Sequence, residues 1–150
     1  MKRFVSLTII TLILLFCINI VAFGYYEDEQ IAENDFYIVV TFTESEDVFR
    51  ASGTKTGSKT ITGYNDDNEK LWDATIHCSF SYTGSSATCT AASITYNEYS
   101  SKWKITSATT TRSGNTATGN ITAKKYVLGI PVQTVEETIS ITCSADGTLS

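Results

Sequence analysis

Thirteen residues from Lys70 to Tyr82 alternate between apolar and polar in a way that leaves one conformation open to this stretch. Trp72, Ala74, Ile76, Cys78, Phe80 and Tyr82 share one side of a period of two, and Asp73, Thr75, His77, Ser79 and Ser81 share the other. A helix would scatter these side chains around its axis. An extended strand collects the apolar set on one face and leaves the other wet. A face carrying two large aromatics must be covered by a second layer, so the rest of the chain has to supply matching strands.

It does so in short pieces. Phe36, Ile38, Val40 and Phe42 alternate with Tyr37, Val39 and Thr41, and a brief run follows at Val48-Phe49-Arg50. Gly53 to Gly57 is small and polar and reads as a loop. Ser58–Tyr64 and Lys70–Tyr82 flank Asn65-Asp66-Asp67-Asn68, whose side chains cap their own backbone. A four-residue loop there pairs Tyr64 with Glu69 and sets Ile61 opposite Trp72. Thr83-Gly84-Ser85-Ser86 turns the chain into Ala87, Cys89 and Ala91, and Ile94 and Tyr96 continue that strand past a bulge. Trp103, Ile105, Ser107, Thr109 and Thr111 then point inward as far as Ser113-Gly114-Asn115. A three-residue loop pairs Arg112 with Thr116, so Ile105 meets Ala123 and Ser107 meets Ile121. A five-residue loop Gly129–Gln133 places Val127 on Val135, Lys125 on Glu137, Ala123 on Ile139 and Ile121 on Ile141, with Pro131 in the loop where its missing N–H is harmless.

Composition agrees: 24 Thr, 16 Ser and a single Pro suit pleated half-buried surfaces better than long helices. The expectation is an all-β fold, an antiparallel β-sandwich of seven or eight strands over residues 36–150. A small closed β-barrel is the alternative.

Ahead of this domain, Lys2 and Arg3 precede a mostly apolar run from Phe4 to Phe23, with Ala22-Phe23-Gly24 offering small residues at a cut after Gly24. Residues 1–24 read as a helical secretory signal peptide. An uncleaved membrane anchor is the alternative, since about twenty apolar residues can span a bilayer. Removing 1–24 takes two basic residues and no acid, moving the formal net charge from −5 to −7. That balance excludes a nucleic-acid binder. Residues 25–35 form an acidic leader, part of a stretch from Tyr25 to Phe49 with eight acids and no Lys or Arg. Membrane contact is expected only through the signal segment before cleavage.

Three cysteines lie beyond that segment, and an exported setting permits a disulfide. A two-residue turn at Gly84-Ser85 pairs Cys78 with Ala91. Cys89 is then a diagonal neighbour of Cys78 at about 7–8 Å, where a disulfide needs Cβ atoms about 3.8 Å apart. The expected bridge is therefore Cys89–Cys143, with Cys78 a buried free thiol. In the chain-entropy account that loop is worth about 4 kcal/mol.

Chemistry-bearing patterns are few. Asp73, His77 and Ser81 share a face, but each is about 13 Å from the next along a strand, too far for a catalytic triad. His77 and the cysteines do not make a zinc site, because adjacent strand residues point to opposite faces. Asn65–Glu69 is rich in oxygens yet lacks the acid spacing and central glycine of a calcium loop. No metal, cofactor or catalytic residue is expected. Two candidate contact surfaces remain. Tyr96, Tyr99 and Trp103 bracket a loop and are suited to stacking on a glycan or anchoring a protein. Ile130, Pro131 and Val132 make an apolar loop that is hard to explain as a solvated turn.

Five segments taken together, Lys70-Leu71-Trp72, Gly84–Thr90, Ser101-Lys102-Trp103, Tyr126–Gln133 and Thr142–Ser150, carry a resemblance. Over residues 58–150 the chain resembles a group of short secreted proteins of Gram-positive bacteria that have no established activity. The resemblance implies export and a shared Cys89–Cys143 pair, and transfers no catalytic residue. The functional expectation is a secreted or cell-surface binding or structural module without enzymatic activity, facing a glycan or protein partner. The alternatives are a small secreted hydrolase using loop carboxylates such as Asp66, Asp67 or Glu98, and a secreted inhibitor or antagonist presenting the Ile130-Pro131-Val132 loop.

Overall fold

In the computed structural model, which describes residues 36–44 and 52–150, seven strands follow one another along the chain. They are β1 (Tyr37–Glu44), β2 (Gly53–Tyr64), β3 (Lys70–Tyr82), β4 (Ala87–Glu98), β5 (Trp103–Ser113), β6 (Thr116–Val127) and β7 (Ile130–Thr142). They make two antiparallel sheets in simple chain order, β1-β2-β3-β4 and β5-β6-β7. The described strands form an all-β sandwich and not a closed barrel. The described residues fall in one unit, Asp35–Ser150. The signal segment, the acidic leader and the Val48-Phe49-Arg50 run lie outside the described residues.

The alternation of β3 decides where the core sits. Trp72, Ala74, Ile76, Cys78, Phe80 and Tyr82 are all buried, and they meet Trp103, Ile105, Ala117, Ile121, Ala123, Ile139 and Ile141 from the other sheet. β2 faces β7, and β3 faces β5 and β6. Phe36 stacks on Trp103 at 5.1 Å and lies 6.2 Å from Trp72, plugging one end of the layer. Lys59 Nζ donates to the Ser140 carbonyl at 2.8 Å and ties β2 to β7.

Several registers differ from the sequence reading, each for a local reason. Between β2 and β3 the loop has five residues, so Tyr64 pairs with Lys70, and a bulge at Leu71 adds one more, so Gly63 pairs with Trp72 and Ile61 with Ala74. Asn68 takes a positive φ of 62° and Asn65 Oδ1 accepts from the Glu69 N–H at 2.8 Å, which closes the longer loop. Gly63 belongs opposite Trp72 because a Cβ there would stand 2.7 Å from the indole and from the Phe36 ring. Gly53–Gly57, read as a loop, is the first part of β2 and pairs with Cys78–Tyr82. Gly57 makes room for the chain's last turn, since a Cβ there would meet Leu149 at 2.5 Å.

In β4 the bulge falls at Thr90, so Cys78 pairs with Ala92 and not Ala91, while Cys89 stands opposite Phe80. A bulge at Thr106 of β5 moves the inward set from odd to even positions, so Ala108 and not Ser107 meets Ile121. Ile105 still meets Ala123. At the next turn Ser113 pairs with Thr116 across Gly114-Asn115.

The β6–β7 connection departs furthest. A two-residue turn, Leu128-Gly129, replaces the five-residue loop and pairs Val127 with Ile130, five residues from the expected partner; a bulge at Val132 takes one residue back, so Ala123 pairs with Val135 and Ile121 with Glu137, a shift of four. Ile130, Pro131 and Val132 are therefore the start of β7 and not loop residues.

Candidate functional site

The hairpin β6–β7 ends in an apolar tip. Leu128 is 98% exposed, Ile130 64%, Val132 56% and Val127 47%, and Gly129 completes the turn. Leu128 and Gly129 have φ of 51° and 81°. Positive φ at both central residues is the turn geometry that matches strand twist, and it strongly favours Asn-Gly or Asp-Gly. A leucine there carries a backbone cost from its Cβ. Its side chain gains nothing from the fold in return, being almost wholly in water. Leu128→Asn is accordingly expected to raise folding stability by about 0.5–1 kcal/mol, read as a higher urea midpoint with an unchanged slope.

At the foot of the tip the strands carry lysines. Lys104 pairs across the ladder with Lys124, Trp103 with Lys125, and the Tyr126 N–H donates to the Lys102 carbonyl at 2.7 Å. Like charges directly opposite one another on a sheet are unfavourable. Lys104 is relieved by Glu98, whose Oε2 lies 2.7 Å from its Nζ. Lys102, Lys124 and Lys125 make no ion pair among the described residues.

The aromatic set Tyr96, Tyr99 and Trp103 does not form one surface. Trp103 is 3% exposed, stacked on Phe36 in the core, as its inward alternation requires. Tyr96 sits opposite Ala74 on β4, an edge strand of its sheet, and is half-exposed. Tyr99 lies with the outer-face group around Asp73. There its hydroxyl donates to Asp73 Oδ2 at 2.8 Å, Asn97 Nδ2 donates to Oδ1 at 2.9 Å, and Lys70 Nζ approaches Oδ2 at 3.3 Å. Burial alone would raise the Asp73 pKa, but these hydrogen bonds and the Lys70 charge outweigh it and hold the carboxyl below its ordinary value.

The other carboxylates with a defined influence behave alike. Glu98 is lowered chiefly by its hydrogen bond to Lys104, against some desolvation, with help from the Ile105 N–H. Asp146 is lowered by the Ser144 hydroxyl and the Thr148 N–H. None of these is raised, which is the direction a general acid needs. An open groove of about 430 Å³ on the outer face of the four-stranded sheet is lined by Thr43, Glu44, Ser58, His77, Ser79 and Ser93 among others. His77 is exposed there and shares a 3.2 Å hydrogen bond with Thr95. Among the described residues no three His, Cys, Asp or Glu side chains converge as a metal site would require.

The expected Cys89–Cys143 disulfide is not formed in the structure. Both residues do flank one turn: the Cys89 N–H donates to the Gly114 carbonyl at 2.8 Å, the Cys143 N–H to the Asn115 carbonyl at 2.9 Å. Their sulfurs, however, are turned to backbone. Cys89 Sγ donates to the Ala91 carbonyl and Cys143 Sγ to that of Ser144, each at 3.4 Å. Cys78 is a buried thiol pushed up to about 11 by burial and the nearby Cys89, and burial raises Cys89 as well. Such thiols are inert at neutral pH.

Of the surfaces singled out in the sequence, the structure brings together only the apolar one, and widens it. Val127 and Leu128 were missed; the signal was the Leu-Gly dipeptide between two strand-like runs. No protein-family model, no curated protein and no solved structure matches this chain.

Proposed function

We propose that this protein is an exported binding module without enzymatic activity, and that its contact surface is the β6–β7 tip. The observation that carries this reading is Leu128: an aliphatic side chain 98% exposed at a positive φ, where a polar residue would serve the fold better. Three more exposed aliphatics beside it make a contiguous patch, whereas single exposed apolar residues need no explanation. The lowered carboxylates favour binding over the carboxylate-hydrolase alternative. Export rests on the basic-then-apolar N-terminus.

The test places a thiol at the tip. Ile130→Cys in the full chain, combined with Cys17→Ser in the N-terminal run, leaves Leu128 in place, and the remaining cysteines Cys78, Cys89 and Cys143 are buried. With isolated cell envelopes of the producing organism, modification by a hydrophilic maleimide is expected to slow at least fivefold. An unchanged rate would remove the tip as the contact surface.

A further inference from the structure

The tip and the lysines beneath it have the composition of a membrane-interface device more than that of a protein interface. Protein hot spots are rich in Trp, Tyr and Arg, with Leu and Val under-represented and Lys depleted. Here the apex is Val127, Leu128, Ile130 and Val132, and the cations are Lys102, Lys104, Lys124 and Lys125. Lysine stems can lie along apolar surface with the ammonium in the headgroup layer. From Lys124 to Val127 is three residues of strand, about 10 Å, which matches the roughly 5–10 Å by which interfacial segments sink below the headgroups. The nearest acids along these strands lie away from the apex: Glu136 is opposite Thr122 and Glu137 opposite Ile121. A chain of net charge −5 thus has a local cationic collar directly behind its most exposed apolar residues.

We propose that the β6–β7 tip inserts into the interface of an anionic lipid bilayer, with Lys102, Lys124 and Lys125 contacting the headgroups. This rests on the reading of the tip as the contact surface and names what it touches. Lys104 is shared with Glu98 and contributes less.

The test uses full chain carrying Leu128→Trp. Its two native indoles, at Trp72 and Trp103, are buried and provide a constant background, and quenching at residue 128 reports contact of the tip itself and not of the N-terminal apolar run. Protein is mixed with vesicles of pure phosphatidylcholine, or of phosphatidylcholine with phosphatidylglycerol, each with brominated acyl chains. Quenching of the introduced indole is expected on the anionic vesicles, at least tenfold weaker binding on the zwitterionic ones, and loss of binding as salt rises from about 0.1 to 1 M, where the screening length falls from about 10 to 3 Å. Adding Lys102→Gln and Lys124→Gln is expected to weaken binding about 25-fold, fivefold for each charge. Equal quenching on both vesicle types, or an indole that stays open to iodide on the anionic ones, would overturn the proposal. If envelopes protect Ile130→Cys while pure lipid leaves the indole unquenched, the tip remains the contact surface and its partner is a protein or glycan. If neither occurs, both readings fall together.

Discussion

Trp72→Ala is expected to cost about 3–5 kcal/mol, a large share of the 5–15 kcal/mol or so that holds a domain of this size together. The indole is fully buried at the end of the inter-sheet layer. Around it, Gly63 has no side chain to fill a void, and Phe36 is already committed to stacking on Trp103. Strand backbones on both sides are held by ladder hydrogen bonds, so the site cannot collapse and the cavity term adds to the lost transfer energy. The measurement is thermal or urea unfolding of the variant, with a midpoint lower by about 10–20 °C. Trp72→Phe is expected to cost much less. It keeps most of the apolar contact and removes Nε1, a buried donor that has no hydrogen-bond partner among the described residues. A loss below about 1.5 kcal/mol for Trp72→Ala would mean that the end of the core is loosely packed.

How far the sequence was legible follows from which physical signals are local. The β3 alternation was readable because a two-sided strand repeats its evidence at every second residue, and six consecutive inward positions proved buried. Registers were less readable because one bulge reverses every later inference on its strand. Nothing in Thr106 announces the extra residue in β5, and in β4 the change of inward parity announced a bulge before Ile94 but not its place at Thr90; each bulge moves its partners by one. Gly53–Gly57 read as loop because it carries no apolar side chain. Gly57 is a glycine because Leu149, from the far end of the chain, lies against it, and that contact is invisible in a local window. The tip was half legible. Ile130, Pro131 and Val132 stood out as apolar, but a leucine in a turn built for asparagine hid the turn itself, and with it the pairing that sets the lysines behind the apex. The cysteines show the opposite failure. The sequence paired Cys89 with Cys143, and the structure sets both beside the Gly114-Asn115 turn, but the rotation of their sulfurs toward backbone carbonyls depends on side-chain angles that spacing does not encode.

Asp73 gives the second large effect, and its sign follows from its surroundings. The carboxylate is buried on the outer face of the four-stranded sheet and accepts from Asn97, Tyr99 and Lys70. Its folded pKa lies below the ordinary value near 3.8. A depressed folded pKa means that the ionised form is favoured by folding. The stabilisation is therefore complete above the unfolded pKa and is lost as pH falls through the folded one. Asp73→Asn is expected to cost about 1.5–3 kcal/mol at pH 7, the range for hydrogen bonds to a charged group. The amide also turns a donor toward a site already supplied with three donors, so the neighbours cannot all be satisfied. Below about pH 4 the difference between wild type and variant should shrink, because the wild-type carboxyl takes up a proton there and loses the same interactions. Urea unfolding of both proteins at intervals from pH 7 to pH 2.5 reads this directly. A stability gap that stays constant across that window would show that the Asp73 charge contributes nothing and that the cost of the variant is steric.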